Sequence, residues 1–259
     1  VTVNINEVIK NKKISTVFQA IFNIQEQCII GYEALTRGPL GCELYSPDVL
    51  FKHAMDADLL SELEILCRDK AIKRFAQLKL KGKLFLNISP LVLLNKNHPQ
   101  GETVKFVEQA GLSCQQIVIE LSEKYPFPNN FTLRDALARY RQFGFNVAID
   151  DLGAGYSGLK LWSQLSPNIV KVDRYFVENC HQDSFKQKFL KAIFDLAIDA
   201  ETEVVVEGIE CCQEFDFLQA LGMKYAQGFY LAKPSINPVR EYPEHLISDV
   251  FIQKPLTRG

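Results

Sequence analysis

The sequence has no CxxC pair, no basic tract and no apolar run long enough to span a bilayer as a helix, which takes about 20 residues. Each absence removes a class of function. Its seven cysteines (Cys28, Cys42, Cys67, Cys114, Cys180, Cys211 and Cys212) are odd in number and irregular in spacing. That excludes a zinc ribbon or a thioredoxin-like motif, and reduced thiols are the expectation. The vicinal pair Cys211-Cys212 is read as structural. Four histidines (His53, His98, His181 and His245) show no ligand spacing and are read as surface or helix residues. Lys and Arg total 29 against 31 Asp and Glu, so a nucleic-acid polymer is an unsuitable partner, whereas a small anion in a local pocket is not. No signal peptide opens the chain and its first residue is not Met. The expectation is a cytoplasmic domain of a longer protein, which can itself be membrane-anchored.

What is present is alternation. A length of 259 residues suits either two ordinary domains or one α/β barrel. Short β-branched runs predict strands at Ser15–Phe22, Cys28–Thr36, Leu84–Ile88, Ile117–Leu121, Asn146–Ile149, Ile169–Val172, Glu203–Val206 and Tyr225–Ala226. Helical periodicity marks Val49–Ala57, Leu60–Leu78, Thr103–Gln109, Leu133–Phe143, Ser184–Asp199 and Gln213–Ala220. Such alternation predicts a parallel sheet with right-handed crossovers. The first two strands are too close for a crossover helix and should pair as an antiparallel hairpin. The predicted fold class is therefore α/β, a modified (β/α)8 TIM-like barrel with an antiparallel first strand pair. Trp162 is expected to pack in its shell.

Polar residues recur where apolar strands end: Glu33, Asn87, Glu120, the pair Asp150-Asp151, Lys171, Glu207 and Gln227. One such residue is usually a cap or a solvated strand end. The series differs, because the ends of parallel barrel strands converge on one face. The carboxylates of Glu33, Glu120, Asp150 and Asp151, the amide oxygen of Asn87 and, as a further candidate, Glu207 would crowd negative charge there. Divalent cations resolve that conflict, and an all-oxygen donor set indicates Mg²⁺ or Mn²⁺ over zinc. Adjacent aspartates can serve two neighbouring ions, an arrangement suited to attack on a phosphodiester. Arg37 could grip a phosphate oxygen bidentately. Gly153, Gly155 and Gly158 formally complete GxGxxG. Two aspartates beside a pyrophosphate argue against a dinucleotide site, and a compact loop closing near the metals fits better.

These residues resemble the EAL family of cyclic di-GMP phosphodiesterases, named for the triplet Glu33-Ala34-Leu35. The triplet alone is uninformative. Further blocks follow in family order: Phe18-Gln-Ala-Ile21, Leu86-Asn-Ile-Ser-Pro90, Ile119-Glu-Leu-Ser-Glu123, Ile149-Asp-Asp-Leu-Gly-Ala-Gly-Tyr-Ser157, Val170-Lys-Val-Asp173, Val206-Glu-Gly-Ile-Glu210, Gln227-Gly-Phe-Tyr230 and Lys233-Pro234. The resemblance implies a barrel with an antiparallel first pair, two ions, and hydrolysis of one 3′–5′ linkage of cyclic di-GMP to linear pGpG. It matches Glu33, Asn87, Glu120, Asp150 and Asp151 to metal ligands, with Asp150 bridging, and Glu207 to a further acidic position of that site. Lys171 matches a lysine that orients or deprotonates the attacking water, and Gln227 a support for that water. A lysine beside cations is pushed toward the neutral base; orientation by its ammonium is the other reading. Gln19, Arg37 and Asp173 match substrate-contacting positions, and Glu123 the anchor of the 151–158 loop.

There are departures from the family pattern. Leu152, Ala154 and Gly158 replace a usual Phe, Thr and Ser; Ala20 replaces Pro, Gly38-Pro39 follows Arg37 in place of Trp, and Val206 replaces Ala. None removes an oxygen ligand; they bear on loop stability and turnover. The alternative function is a catalytically weak cyclic di-GMP receptor or regulatory module. Residues 1–236 are expected to form the barrel, and 237–259 a tail or a linker to a further domain such as a sensory or GGDEF module. A short helix is expected at Tyr242–Ile252. A homodimer is a family expectation.

Overall fold

The computed structural model describes residues 4–94, 101–122, 130–155 and 158–247. Eight strands close a barrel in sequence order: β1 (Ser15–Asn23), β2 (Cys28–Arg37), β3 (Lys83–Asn87), β4 (Ile117–Ser122), β5 (Asn146–Leu152), β6 (Ile169–Val172), β7 (Glu203–Val206) and β8 (Tyr225–Ala226). The helices are α1 (Ile5–Lys10), α2 (Pro47–Asp56), α3 (Leu60–Gln77), α4 (Pro90–Leu93), α5 (Glu102–Gln109), α6 (Asn130–Gln142), α7 (Gly158–Leu165), α8 (Arg174–Val177), α9 (Ser184–Asp199) and α10 (Cys212–Ala220). β1 and β2 pair antiparallel, β2 to β8 run parallel, and β1 meets β8 antiparallel at Phe22–Ala226 and Asn23–Tyr225. Only β1 is reversed, as its short connection to β2 requires.

All eight predicted strands are present, within a few residues of their expected ends. The four-residue helices α4 and α8, and the six-residue α1, have no counterpart in the sequence expectation, being too short to show a 3.6-residue period. Their signals are caps. Ser89 precedes Pro90 and accepts from Leu91 N, and Asp173 accepts from Tyr175 N. The expected Tyr242–Ile252 helix is replaced over its described part by a 3-10 turn at Glu244–Leu246; residues 248–252 lie outside the described residues. Pro243 begins that turn. Segment 237–247 lies across the barrel wall: Tyr32 Oη donates to Val239 O, Arg240 to Leu78 O, and Leu246 is buried in the main core.

Two apolar layers result from the two-residue period of a strand. One parity faces the helices: Leu84 and Leu86, Ile117 and Ile119, Val147 and Ile149, and Val170 and Val172 all belong to the large core that includes Trp162. The other parity points inward. Ile21, Phe85, Val118, Ala148, Ile169, Val205 and Tyr225, one from each of seven strands, form a separate buried cluster that fills the barrel floor. β2 contributes no bulk at its matching position, Gly31, where a Cβ would run into the Lys83 carbonyl. That close approach of β2 to β3 needs glycine.

Candidate metal centre

The inward parity continues one step above the floor, and there every residue is polar. Moving two positions from each plug residue toward the open end gives Gln19 from Ile21, Glu33 from Gly31, Asn87 from Phe85 and Glu120 from Val118. Further round it gives Asp150 from Ala148, Lys171 from Ile169, Glu207 from Val205 and Gln227 from Tyr225. Strand register sets Asn87 opposite Glu120, while Glu33 pairs with the plug residue Phe85 and Glu120 with Ala148, so the ring is stepped as the strands of a tilted barrel are. The apolar plug thus carries a polar ring.

Lys171 stands at its centre and is fully buried. Its Nζ lies 2.6 Å from Glu207 Oε1, 2.8 Å from Glu120 Oε1, 3.1 Å from Asp150 Oδ1 and 3.2 Å from Glu33 Oε2. Asn87 Nδ2 donates to Glu33 Oε1 at 3.1 Å and to Glu120 Oε2 at 3.3 Å. Gln227 Nε2 donates to Glu33 Oε2 at 2.7 Å and to Gln19 Oε1 at 3.0 Å, while Gln19 Nε2 donates to Ala232 O.

Asp151 should face away from Asp150, because neighbouring strand residues alternate. A bulge prevents that. The β5–β6 register shifts between Ile149 and Leu152, and Asp151 adopts a left-handed φ of 57°, a conformation that aspartate tolerates better than most residues. Its Oδ2 accepts from Ser122 Oγ at 2.9 Å. Two groups of carboxylates therefore meet, each with ligand atoms within 4.8 Å of one another: Glu33, Glu120 and Asp150, and Asp150, Asp151 and Glu207. Asp150 belongs to both.

Electrostatics sharpen the picture. Burial, with Glu33 and Asp150 nearby, pushes Glu120 well above the ordinary carboxylate range, although Lys171 opposes it. Burial likewise raises Glu207, and it raises Asp150 to about 6. Burial pulls Lys171 down, but its four carboxylates outweigh that and hold it well above its ordinary value. Without cations Lys171 is held as an ammonium; the neutral-base reading concerns the lysine beside bound cations, whose charge opposes this effect. Besides the lysine, Glu120 Oε1 and Asp150 Oδ1 have no hydrogen-bond donor among the described residues, and Gln227 Oε1 is buried without any. An all-oxygen donor set with buried, undersatisfied carboxylate oxygens fits a hard divalent cation.

Of the remaining predicted residues, Arg37 and Asp173 sit at strand ends. Arg37 ends β2 and its Nη1 donates to Thr36 O, and Asp173 follows β6 and caps α8. Glu123 lies outside the described residues, as do Tyr156 and Ser157 of the glycine loop. The sequence reading missed two buried glutamates on the outer helices. Glu64 of α3 accepts from Ser89 N, just beyond Asn87, and pairs with the buried Arg68 at 3.3 Å. Glu214 of α10 accepts from Asn179 N and Glu210 N. The available signal was an acid among apolar neighbours on a helix, such as Leu63-Glu64-Ile65-Leu66.

Glu64 yields a pH prediction. Burial raises it to about 7, against the opposing effects of Arg68 and Ser89 N–H. A carboxyl raised in the folded state favours folding below its unfolded value, and that contribution is lost as pH rises through the folded value. Between about pH 4.5 and 7 the loss is on the order of 3 kcal/mol. Urea denaturation of wild type and Glu64→Gln across this range, with saturating Mn²⁺, should show the wild-type profile falling relative to the variant. Parallel profiles would contradict the assignment.

Comparison with known proteins places these features. The EAL domain family model matches residues 2–234. The chain is 32% identical over 155 residues to the probable cyclic di-GMP phosphodiesterase PdeA of Escherichia coli K12, covering 60% of this chain and 21% of that protein. It spans from about a fifth to about half of the length of the curated relatives it matches. The Klebsiella pneumoniae protein BlrP1, solved with manganese and cyclic di-GMP, superposes with a TM-score of 0.80 at 31% identity, over 87% of this chain and 57% of that one. A standalone EAL protein from Vibrio cholerae O395, solved with cyclic di-GMP bound, gives a TM-score of 0.78 at 29% identity, over 90% and 97%.

Proposed function

Because the chain belongs to the EAL domain family, we propose that it hydrolyses cyclic di-GMP, opening one 3′–5′ phosphodiester to linear pGpG with the help of two divalent cations, Mg²⁺ or Mn²⁺. The observation that carries this reading is the pair of oxygen clusters sharing Asp150. Charge supports it as well. Around Lys171 five carboxylates (Glu33, Glu120, Asp150, Asp151 and Glu207) face one ammonium, leaving the deficit that two divalent cations would fill. Glu33, Asn87, Glu120 and Asp150 would hold one ion, and Asp150, Asp151 and Glu207 the other. When bound, such ions polarise the phosphoryl group and lower the pKa of water.

The protein's own residues do the rest. With cations taking over part of the carboxylate ring, the Lys171 ammonium has an N–H released to donate to the attacking water, orienting it, and it offsets negative charge developing on the phosphoryl oxygens. Gln227 supports that water: its Nε2 is already committed to Glu33 and Gln19, which leaves the buried Oε1 to accept a proton donor. Arg37 grips a non-bridging phosphate oxygen. Gln19 and Asp173 contact the nucleotide, and Glu123 anchors the 151–158 loop. The domain works in the cytoplasm as a homodimer, joined to a sensory or GGDEF domain; relatives longer than this chain support the last point.

The test is direct. Purified protein with cyclic di-GMP and Mg²⁺ or Mn²⁺ should yield pGpG on chromatography, with none in EDTA. Binding without product would instead make the chain a cyclic di-GMP receptor.

A further inference from the structure

Lys171 and Glu207 come from different strands, and nothing in β6 or β7 alone fixes their 2.6 Å separation beyond the last ladder bonds. Glu207 N still bonds Val172 O; beyond it Ile209 bonds Gln227 O and Tyr230 N on the β8 side, but no backbone bond among the described residues joins 208–210 to the segment after β6. Gly208 has a left-handed φ of 72° and lies against the Arg174 side chain, where a Cβ would collide. What holds this segment beside the one following β6 is Glu214. Only 4% exposed, it reaches from α10 and accepts from two backbone amides. Oε2 takes Glu210 N at 2.9 Å, three residues past Glu207, and Oε1 takes Asn179 N at 2.9 Å, just after α8, the short helix that follows β6 and is capped by Asp173. An ion pair between Arg174 and Glu210 spans the same gap at the surface.

We propose that Glu214 is a positioning residue for the metal centre, a clasp that joins the segment just past Glu207 to the end of the short helix following β6 and so sets the geometry of the second carboxylate cluster. Chemistry explains why the residue is an acid. Both bonds are received from N–H groups, so both of its oxygens must accept; an amide offers one acceptor and would turn its NH₂ against the other donor. The carboxylate touches neither the lysine nor the proposed ions, and acts through the backbone on either side. Groups bonded directly to metal ligands typically alter metal affinity or activity by about 10–100-fold, and a group one step further out, acting through the backbone, belongs at the low end, about 10-fold.

The inference rests on the hydrolase reading above, and its test separates the two. Glu214→Ala should lower kcat and weaken Mn²⁺ binding, read by electron paramagnetic resonance, each by about 10-fold, with KM for cyclic di-GMP little changed. Amide exchange at Glu210 and Asn179 should quicken. Glu214→Gln, which keeps the shape and one bond, should fall between, and it decides the matter if the alanine variant does not fold. A folded variant with quickened exchange at both amides but wild-type Mn²⁺ affinity and kcat would overturn the proposal. Failure of the wild-type chain to turn over cyclic di-GMP would instead sink the hydrolase reading, leaving Mn²⁺ affinity and exchange to judge the clasp.

Discussion

Asp150→Asn should lower turnover of cyclic di-GMP by at least about 10³-fold, close to 4 kcal/mol in the barrier, while the folded state gains stability when metal is absent. The two halves have one cause. Asp150 is the carboxylate common to both oxygen clusters, so the substitution weakens both proposed ion sites at once. In the metal-free protein its ionisation is opposed by burial and by Glu33 and Asp151, which lift it to about 6 despite Lys171. A raised carboxyl works against folding once it ionises, so the advantage of the variant should emerge between about pH 4 and 6 and persist above. Thermal unfolding in EDTA would show a higher Tm for the variant near pH 7 and none near pH 4, and Mn²⁺ should stabilise wild type far more than the variant. A variant that keeps wild-type turnover would remove Asp150 from the centre of the account.

Lys171→Met should be the most destabilising conservative change in the barrel when metal is absent. Methionine follows the lysine stem and stops one heavy atom short of the ammonium, so packing of the stem above the floor is largely kept. Four carboxylates then lose the cation that contacts them all. Removing one partner of a buried charged network costs about 3–5 kcal/mol. Divalent metal should restore much of that stability, since it neutralises the same oxygens. Turnover should stay low, by about 10²–10³-fold, because the ammonium that orients the water and offsets phosphoryl charge is gone. The pH behaviour adds a check. Wild-type Lys171 is held well above its ordinary value by the surrounding carboxylates, so its stabilising effect is complete below pH 10.5 and fades only above that. A metal-free Lys171→Met variant as stable as wild type at pH 7 would show that the ammonium does not hold the ring together.

Much of this was legible in the primary chain, for a definite reason. Each parallel strand places a polar residue two positions above a plug residue, so the chain itself reads apolar, then polar, at Val118 and Glu120, Ala148 and Asp150, Ile169 and Lys171, and Val205 and Glu207. The short gap before Cys28 likewise announced the reversed first strand. Other features were not legible because they depend on backbone departures or tertiary contacts. That Asp150 and Asp151 share one site was read from their adjacency, but the bulge and the left-handed residue that turn Asp151 toward it are encoded in no periodicity. Glu64 and Glu214 look like ordinary helix charges until the amides they receive are known. Segment 237–247 gives no sign in its composition that Leu246 enters the core. Lys171 was recognised, but its ionisation was not, since that is set by four carboxylates from four different strands.

The central claim is that oxygens from separate strands hold a pair of divalent ions around one shared aspartate. Anomalous diffraction from crystals grown with Mn²⁺ tests it most directly. Two peaks about 3.5–4 Å apart, one among Glu33, Asn87, Glu120 and Asp150 and the other among Asp150, Asp151 and Glu207, are the predicted result. No manganese at these residues, with Lys171 alone filling the ring, would contradict it.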